Sequence, residues 1–363
     1  MFIESLALSN FRNYENADIK FSSGINILYG DNAQGKTNIL EAVYMLATTK
    51  SHRGSRDKEI ICFDEEESHI RASVRKNDIS HRIDMHLRKS KSKGIAIDMI
   101  PIKKSAELFG LVNIVFFSPE DLTIIKESPA ERRRFMDMEL CQISRLYYSD
   151  LSSYNRILNQ RNNQLKAIAY DRSQTDMMDI WDLQLVKYGI EVIKKRNNFI
   201  EELNSIIKDI HKDLTGGREE LVIIYDKNVD EEKFATELVF KRDTDLRLQT
   251  TNTGPHRDDM IFMINGMDVK KYGSQGQQRT VALSLKLAEI KLVKNVINDN
   301  PILLLDDVMS ELDAKRRDAL LSSISDIQTI ITCTGYDDFI KERISIDKIY
   351  KVTSGELKEE GNE

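Results

Sequence analysis

The sequence predicts an α/β fold in which both ends of the chain build a phosphate-binding lobe and the middle inserts a mainly helical second lobe. Three observations carry this reading. GDNAQGKT, Gly30 to Thr37, fills every fixed position of the G-x-x-x-x-G-K-[ST] phosphate loop, between an apolar run and a periodic segment. The stretch PILLLDDV, near the other end of the chain, is an apolar run closing on Asp306 and Asp307. From about residue 130 the texture between them changes to long helical stripes.

In chain order, residues 2 to 30 alternate and then turn fully apolar, which predicts edge and central strands. TNILEAVYMLATT has the period of a helix, through Ile39, Leu40, Val43, Tyr44 and Leu46. Residues 60 to 117 read as short strands between polar turns. Tyr147, Leu151, Tyr154, Leu158, Leu165 and Ile168 form one stripe, interrupted by Arg161. Ile193, Ile200, Leu203, Ile207, Ile210 and Leu214 form a second. The pair suits either an antiparallel helical hairpin or an ordinary bundle. LVIIYD and PILLLD return to strand character. The expected division is 1–120 with 295–355 for the ATPase lobe, 121–294 for the second lobe, and a polar tail without fixed structure at 356–363.

With 363 residues the chain can hold one large domain or two lobes. No apolar run approaches the ~20 residues that cross a bilayer. MFIESLALSNF lacks a basic start and a small-residue cleavage site, so no signal peptide and a cytoplasmic location are expected. Cys62, Cys141 and Cys333 show no metal spacing and read as free thiols. A net charge of −6 excludes a surface coated for nucleic acid, although RKSKSK and ERRRF are local basic runs.

The chemistry of the loop follows from its residue types. Glycines let backbone N–H groups wrap phosphates, and the following helix N-terminus favours negative charge. Lys36 would reach the β- and γ-phosphates of ATP, and the Thr37 hydroxyl would ligate Mg²⁺. Asp306 would complete the metal site, and Asp307 would orient or deprotonate the attacking water. No N-K-x-D motif marks a GTPase. YGSQGQQRT, ahead of a long helix and then of Asp306 and SELD, follows the order of signature, Walker B and D-loop in the ATP-binding cassette superfamily. In that architecture the signature meets ATP held by another subunit.

LSNFRNY, GDNAQGKTNILEA, SHR, FSPEDL, ERRRFMD, TGPHRDD, GSQGQQR and LLLDDVMSELD, in order from residue 6 to 313, together resemble the RecF family of recombination-mediator ATPases, related to SMC and Rad50. The resemblance implies an ABC-type, Rad50/SMC head-like ATPase lobe and a second lobe bearing a short antiparallel helical arm. It implies weak ATP hydrolysis, an ATP-dependent homodimer, and binding of single- and double-stranded DNA at gaps. It further implies work with RecO and RecR in loading RecA, and a part in the SOS response. Carried over by position, Gly30, Asp31, Asn32, Ala33, Gln34, Gly35, Lys36, Thr37 and Asn38 hold ATP, with Arg12 near the phosphates. Ser274, Gly276 and Gln277 act in trans, and Asp313 is the D-loop acid. Lys36, Asp306 and Asp307 are the catalytic group. Glu120 stands at the Q-loop position and Thr334 near the switch-histidine position; His256 and Arg257, with His52 and Arg53, are marked residues without an assigned role. Lys89, Lys91, Lys93, Arg132, Arg133 and Arg134 are the candidate DNA contacts, directed at the backbone. The competing readings are a membrane-transporter ATPase subunit, disfavoured by the large insertion and the GSQGQ signature, and an ATP-sensing scaffold working through protein partners alone.

Overall fold

The structure, a computed structural model, describes residues 1–170, 177–324, 326–335 and 345–360. The chain divides into two compact units, Met1–Asp121 with Leu285–Glu363, and Leu122–Ser284. The second crossing falls inside one helix, Gln275–Ile297, whose residues 281–290 are buried all round.

The first unit holds two six-stranded sheets. One is antiparallel, in the order Tyr14–Lys20, Phe2–Phe11, Glu67–Lys76, Ile79–Arg88, Gly94–Ile97, Ile100–Pro101. Its strands alternate as a half-buried sheet requires: Ser68, Ile70, Ala72 and Val74 point inward between exposed neighbours. The other sheet runs Glu356–Glu360, Lys348–Thr353, Ile25–Tyr29, Thr329–Cys333, Ile302–Asp306, Ile114–Phe117. Every pairing in it is parallel except the first. Thr329–Cys333 is buried at every position, and Ile25–Tyr29 and Ile302–Asp306 at all but the last, the mark of a sheet covered on both faces. The strand preceding Gly30 and the strand ending at Asp306 are separated by Thr329–Cys333 alone. Their C-terminal ends therefore open on the same edge, the usual place for a ligand in an open parallel sheet.

The expected unstructured tail is corrected over residues 356–360. Ser354 and Gly355, both at positive φ (48° and 84°), make a two-residue turn that pairs Thr353 with Glu356. Lys348 Nζ then reaches Glu359 Oε1 at 2.9 Å, and the Tyr29 hydroxyl donates to Glu360 Oε2 at 2.7 Å. Glu359 and Glu360, two of the acids that suggested a solvated tail, are thus anchored. Residues 361–363 lie outside the described residues.

The second unit combines an antiparallel sheet, Met267–Asp268, Asp259–Ile264, Leu221–Asp226, with long helices. Arg145–Tyr170 and Met178–Thr215 run antiparallel, because Tyr147 meets Arg196, Asp150 meets Lys195 and Arg161 meets Asp182. The hairpin does not stand free. Arg161, which broke the apolar stripe, is fully buried, bonding Asp182 at 2.6 Å, Asp245 at 2.7 Å and Thr251 at 2.8 Å. Asp245 belongs to the helix Arg242–Leu248, so one guanidinium ties the hairpin to the elements packed on it.

Candidate nucleotide site

The phosphate loop owes its shape to residues far from it in sequence. Gly35 (φ 115°) must be glycine, since a Cβ there would lie 2.6 Å from Asn13 Nδ2 and 2.8 Å from the Tyr14 hydroxyl. Asn13 Nδ2 donates to the Gln34 carbonyl at 3.0 Å, and the Tyr14 hydroxyl to the Gly35 carbonyl at 3.1 Å. From the other side the 354–355 turn closes on Gln34. Ser354 N donates to Gln34 Oε1 at 2.5 Å, and Gly355 N to the Gln34 carbonyl at 3.1 Å. Asp31, Asn32 and Ala33 are exposed at the crest of the loop. Lys36 is buried and turns its ammonium into the loop, donating to the Gly30 and Asp31 carbonyls at 2.7 Å each.

The two ends of the chain meet at Thr37 and Asp306. The Thr37 hydroxyl donates to Asp306 Oδ1 at 2.8 Å, and Thr332 donates to the same oxygen at 2.7 Å. A hydroxyl and a carboxylate are the hard oxygen donors that Mg²⁺ takes beside nucleotide phosphates, so these residues fit that ion. Asp307 adopts the left-handed region (φ 54°), with its N–H donated to Thr332 Oγ1 at 3.0 Å. That kink keeps both acids at the strand end. Burial raises the Asp307 carboxyl above the ordinary aspartate value against the pull of Lys36, and Asp306 adds to the rise. A carboxylate so placed is a better proton acceptor than a free one.

Arg12 also lies beside the loop helix, held by Glu41. Its Nε and Nη2 donate to the two Glu41 oxygens at 2.8 and 2.6 Å, and Nη2 reaches Ser55 at 2.8 Å. Burial pushes the Glu41 carboxyl up, but Arg12 and Ser51 more than offset this and hold it below its usual value. Asn38 joins the same surface, donating to Asn13 Oδ1 at 2.8 Å and accepting from Arg53 Nη1 at 3.1 Å. Asp313 caps the helix Ala314–Ser323, accepting from Arg316 N at 2.9 Å.

The signature residues belong to the second unit. Ser274 Oγ accepts from Gln277 N at 3.2 Å, and Gln277 Oε1 accepts from Ser274 N at 2.9 Å, a reciprocal cap on the helix Gln275–Ile297. Gln277 Nε2 also donates to Glu219 at 3.0 Å. Ser274 and Gly276 are exposed.

Other expected residues have structural duties. Arg132 is corrected as a DNA contact: it is buried and bidentate to Asp259 at 2.6 and 2.9 Å, a geometry no phosphate could enter without stranding the acid. Arg133 donates to the Asp258 carbonyl at 2.6 Å and is half-buried, whereas Arg134 is exposed beside Glu131. Lys93 is tied to Asp57 at 2.9 Å and Lys89 to the Phe63 carbonyl at 3.1 Å, while Lys91 is exposed. His256 donates Nε2–H to the Thr251 carbonyl at 2.9 Å, so Nδ1 accepts from Tyr154 at 2.6 Å. Burial lowers its pKa to about 4 and keeps the ring neutral. Arg257 is exposed near Asn252. His52 packs against Tyr44 and Phe116, with ring centroids 5.6 and 4.4 Å away, and burial likewise lowers it to about 4. Glu120 and Thr334 are exposed.

Asn13, Tyr14, Glu41, Thr332 and the 354–355 turn escaped the sequence reading. Asn13 and Tyr14 carried a signal as neighbours of Arg12 in NFRNY, and Glu41 as part of GDNAQGKTNILEA. The others reach the loop through side-chain bonds that no local pattern announces.

With this geometry in hand, comparison with known proteins is specific. Residues 2–359 match the family described as RecF/RecN/SMC N terminal domain. The DNA replication and repair protein RecF of Agathobacter rectalis is 60% identical over 357 residues, covering 98% of this chain and 99% of its own. That of Lachnoclostridium phytofermentans is 60% identical over 355 residues, with coverage of 98% and 99%. A solved structure of the recombination mediator protein RecF with ATP, in the RecFOR pathway, is 36% identical with a TM-score of 0.94, covering 99% of this chain and 98% of that one. The Smc head domain of Pyrococcus furiosus, at 16% identity and a TM-score of 0.56, covering 99% and 95%, shares the fold. The α/β phosphate-loop architecture, the Thr37–Asp306 junction and these likenesses agree: the chain belongs to the RecF family, within the SMC/Rad50-like superfamily of ATPases.

Proposed function

We propose that this chain is an ATP-dependent DNA-binding protein of recombinational repair, and that ATP closes two copies into a dimer competent to hold DNA. The observation that carries this reading is the joining of Thr37 to Asp306 across the whole chain, in a fold shared with RecF–ATP. Mg²⁺ on these two oxygens would neutralise charge on the β- and γ-phosphates. Lys36 holds the γ-phosphate. Asp307 accepts a proton from the water that attacks phosphorus, as the bond to ADP breaks. Ser274, Gly276 and Gln277 of a second copy complete the site by donating to the γ-phosphate.

DNA contact falls to the exposed cations Lys91 and Arg134, with Lys89 and Arg133 as weaker contributors and Lys93 held by Asp57. The RecFOR pathway of the RecF–ATP relative supports RecO and RecR as partners; RecA as the loaded protein and gapped DNA as the ligand are part of the same proposal. The cytoplasm is the proposed setting. Among the described residues no helix is long and apolar enough to cross a membrane.

Electrophoretic binding to gapped DNA, with and without ATP, tests the proposal. Binding should require ATP and be lost in Lys36→Met. Binding that ignores both would refute ATP control of DNA binding, and no binding at all would leave the ATP-sensing scaffold.

A further inference from the structure

The antiparallel sheet of the first unit carries a cluster that the nucleotide site does not use. His69 in Glu67–Lys76 stands directly opposite His86 in Ile79–Arg88. Their rings stack with centroids 4.1 Å apart and planes at 21°. Glu67, two residues before His69, shares its face, and its Oε2 lies 2.7 Å from His86 Nε2. One ligand atom from each of the three side chains can be chosen so that all lie within 4.8 Å of one another.

We propose that Glu67, His69 and His86 form a binding site for one divalent transition-metal ion, zinc in the first instance. Two imidazoles and a carboxylate are the donor set of three-ligand zinc sites that keep a fourth position open. Bonds of 2.0–2.2 Å in a tetrahedron place ligand atoms roughly 3.3 Å apart, so the widest separation in the cluster must contract by up to about 1.5 Å. Side chains on one exposed sheet face can do this by χ rotation alone. Calcium and magnesium would be poor occupants, because imidazole is not their donor.

The surroundings agree with a ligand. Across the sheet the row continues with Ser9 opposite His69 and Gly94 opposite His86, so no large side chain crowds the rings from either neighbouring strand. His69 and His86 line a pocket of about 530 Å³. Next along the face, Arg71 and Arg82 share Asp84, at 2.9 and 2.7 Å, and Arg88, opposite Glu67, donates to the Ser92 carbonyl at 2.9 Å, so Glu67 is the carboxylate that faces the two rings.

The test uses the full chain, stripped with chelator and titrated with zinc chloride by calorimetry without nucleotide or Mg²⁺. One equivalent should bind, with His69→Ala and His86→Ala each weakening it at least ~10-fold and Glu67→Gln weakening it less. Cobalt should give a tetrahedral absorption spectrum that both histidine variants lose. All three positions are at least partly exposed, so circular dichroism should confirm intact folds. No zinc uptake by the wild type, or uptake unchanged in the double histidine variant, would overturn the proposal.

Discussion

The phosphate loop and the signature loop are both glycine-bearing turns that lead into a helix, yet they are held in opposite ways. The first is clamped from both sides, by Asn13 and Tyr14 and by the 354–355 turn. Its metal-side residues are joined through Thr332. The second is capped by its own Ser274–Gln277 pair and tied to Glu219 and to the Val269 carbonyl, and its Ser274 and Gly276 stay exposed. A loop braced on every side is preorganised to bind in its own chain. A loop that keeps Ser274 and Gly276 exposed at a helix N-terminus suits the proposed half of a shared site.

The largest expected effect tests the braced loop. Lys36→Met should lower ATP hydrolysis by ~10²–10³-fold, since it removes the one buried cation at the phosphates; steady-state phosphate release measures this. Residual activity within a few-fold of wild type would mean that Lys36 is a structural lysine. If the proposed shared site holds, Ser274→Arg should leave ATP affinity of the single chain within about twofold while abolishing ATP-induced dimers. Light scattering with and without ATP decides, and a normal dimer would end the contrast drawn above.

Bracing at a distance predicts a smaller effect. Gln34→Ala removes the side-chain bond from Ser354 and should weaken nucleotide binding about 10-fold, about 1.4 kcal/mol, read by calorimetry. If affinity is unchanged, the terminal hairpin is a bystander. Acid offers a milder probe of the second unit. His256 is neutral when folded, with a pKa of about 4, but ordinary when unfolded. The unfolded chain therefore binds the extra proton between pH 6.5 and 4, and stability should fall as pH drops through that window. His256→Gln should flatten that part of the urea-midpoint profile. The smallest effect is expected for Gln277→Ala, about 0.5–1 kcal/mol of stability through the lost cap and Glu219 bond.

Much of this was legible in residue order. GDNAQGKT and LLLDDV are local, because phosphate binding needs contiguous backbone donors and a strand end needs contiguous apolar residues. The hairpin stripes were equally plain. What escaped was long-range. The acids of residues 356–360 read as solvated until Lys348 and Tyr29 were seen to hold them. Arg132 sat in a basic run that suggested DNA, but Asp259, on a strand more than a hundred residues away, buries it. Arg161 looked like a flaw in a stripe and is instead the tie between three segments.

The sequence by itself determined the chemistry of the loop, the identity of the two acids and the helical character of the middle, since each depends on neighbours within a few residues. Tertiary structure alone decided that Thr37 would find Asp306, that the 354–355 turn would brace Gln34, and which basic residues of the two runs are exposed and which are buried. Those outcomes depend on strand order in the parallel sheet and on which charge meets which partner. A side chain's partner is set by packing across hundreds of residues, and no local pattern encodes it.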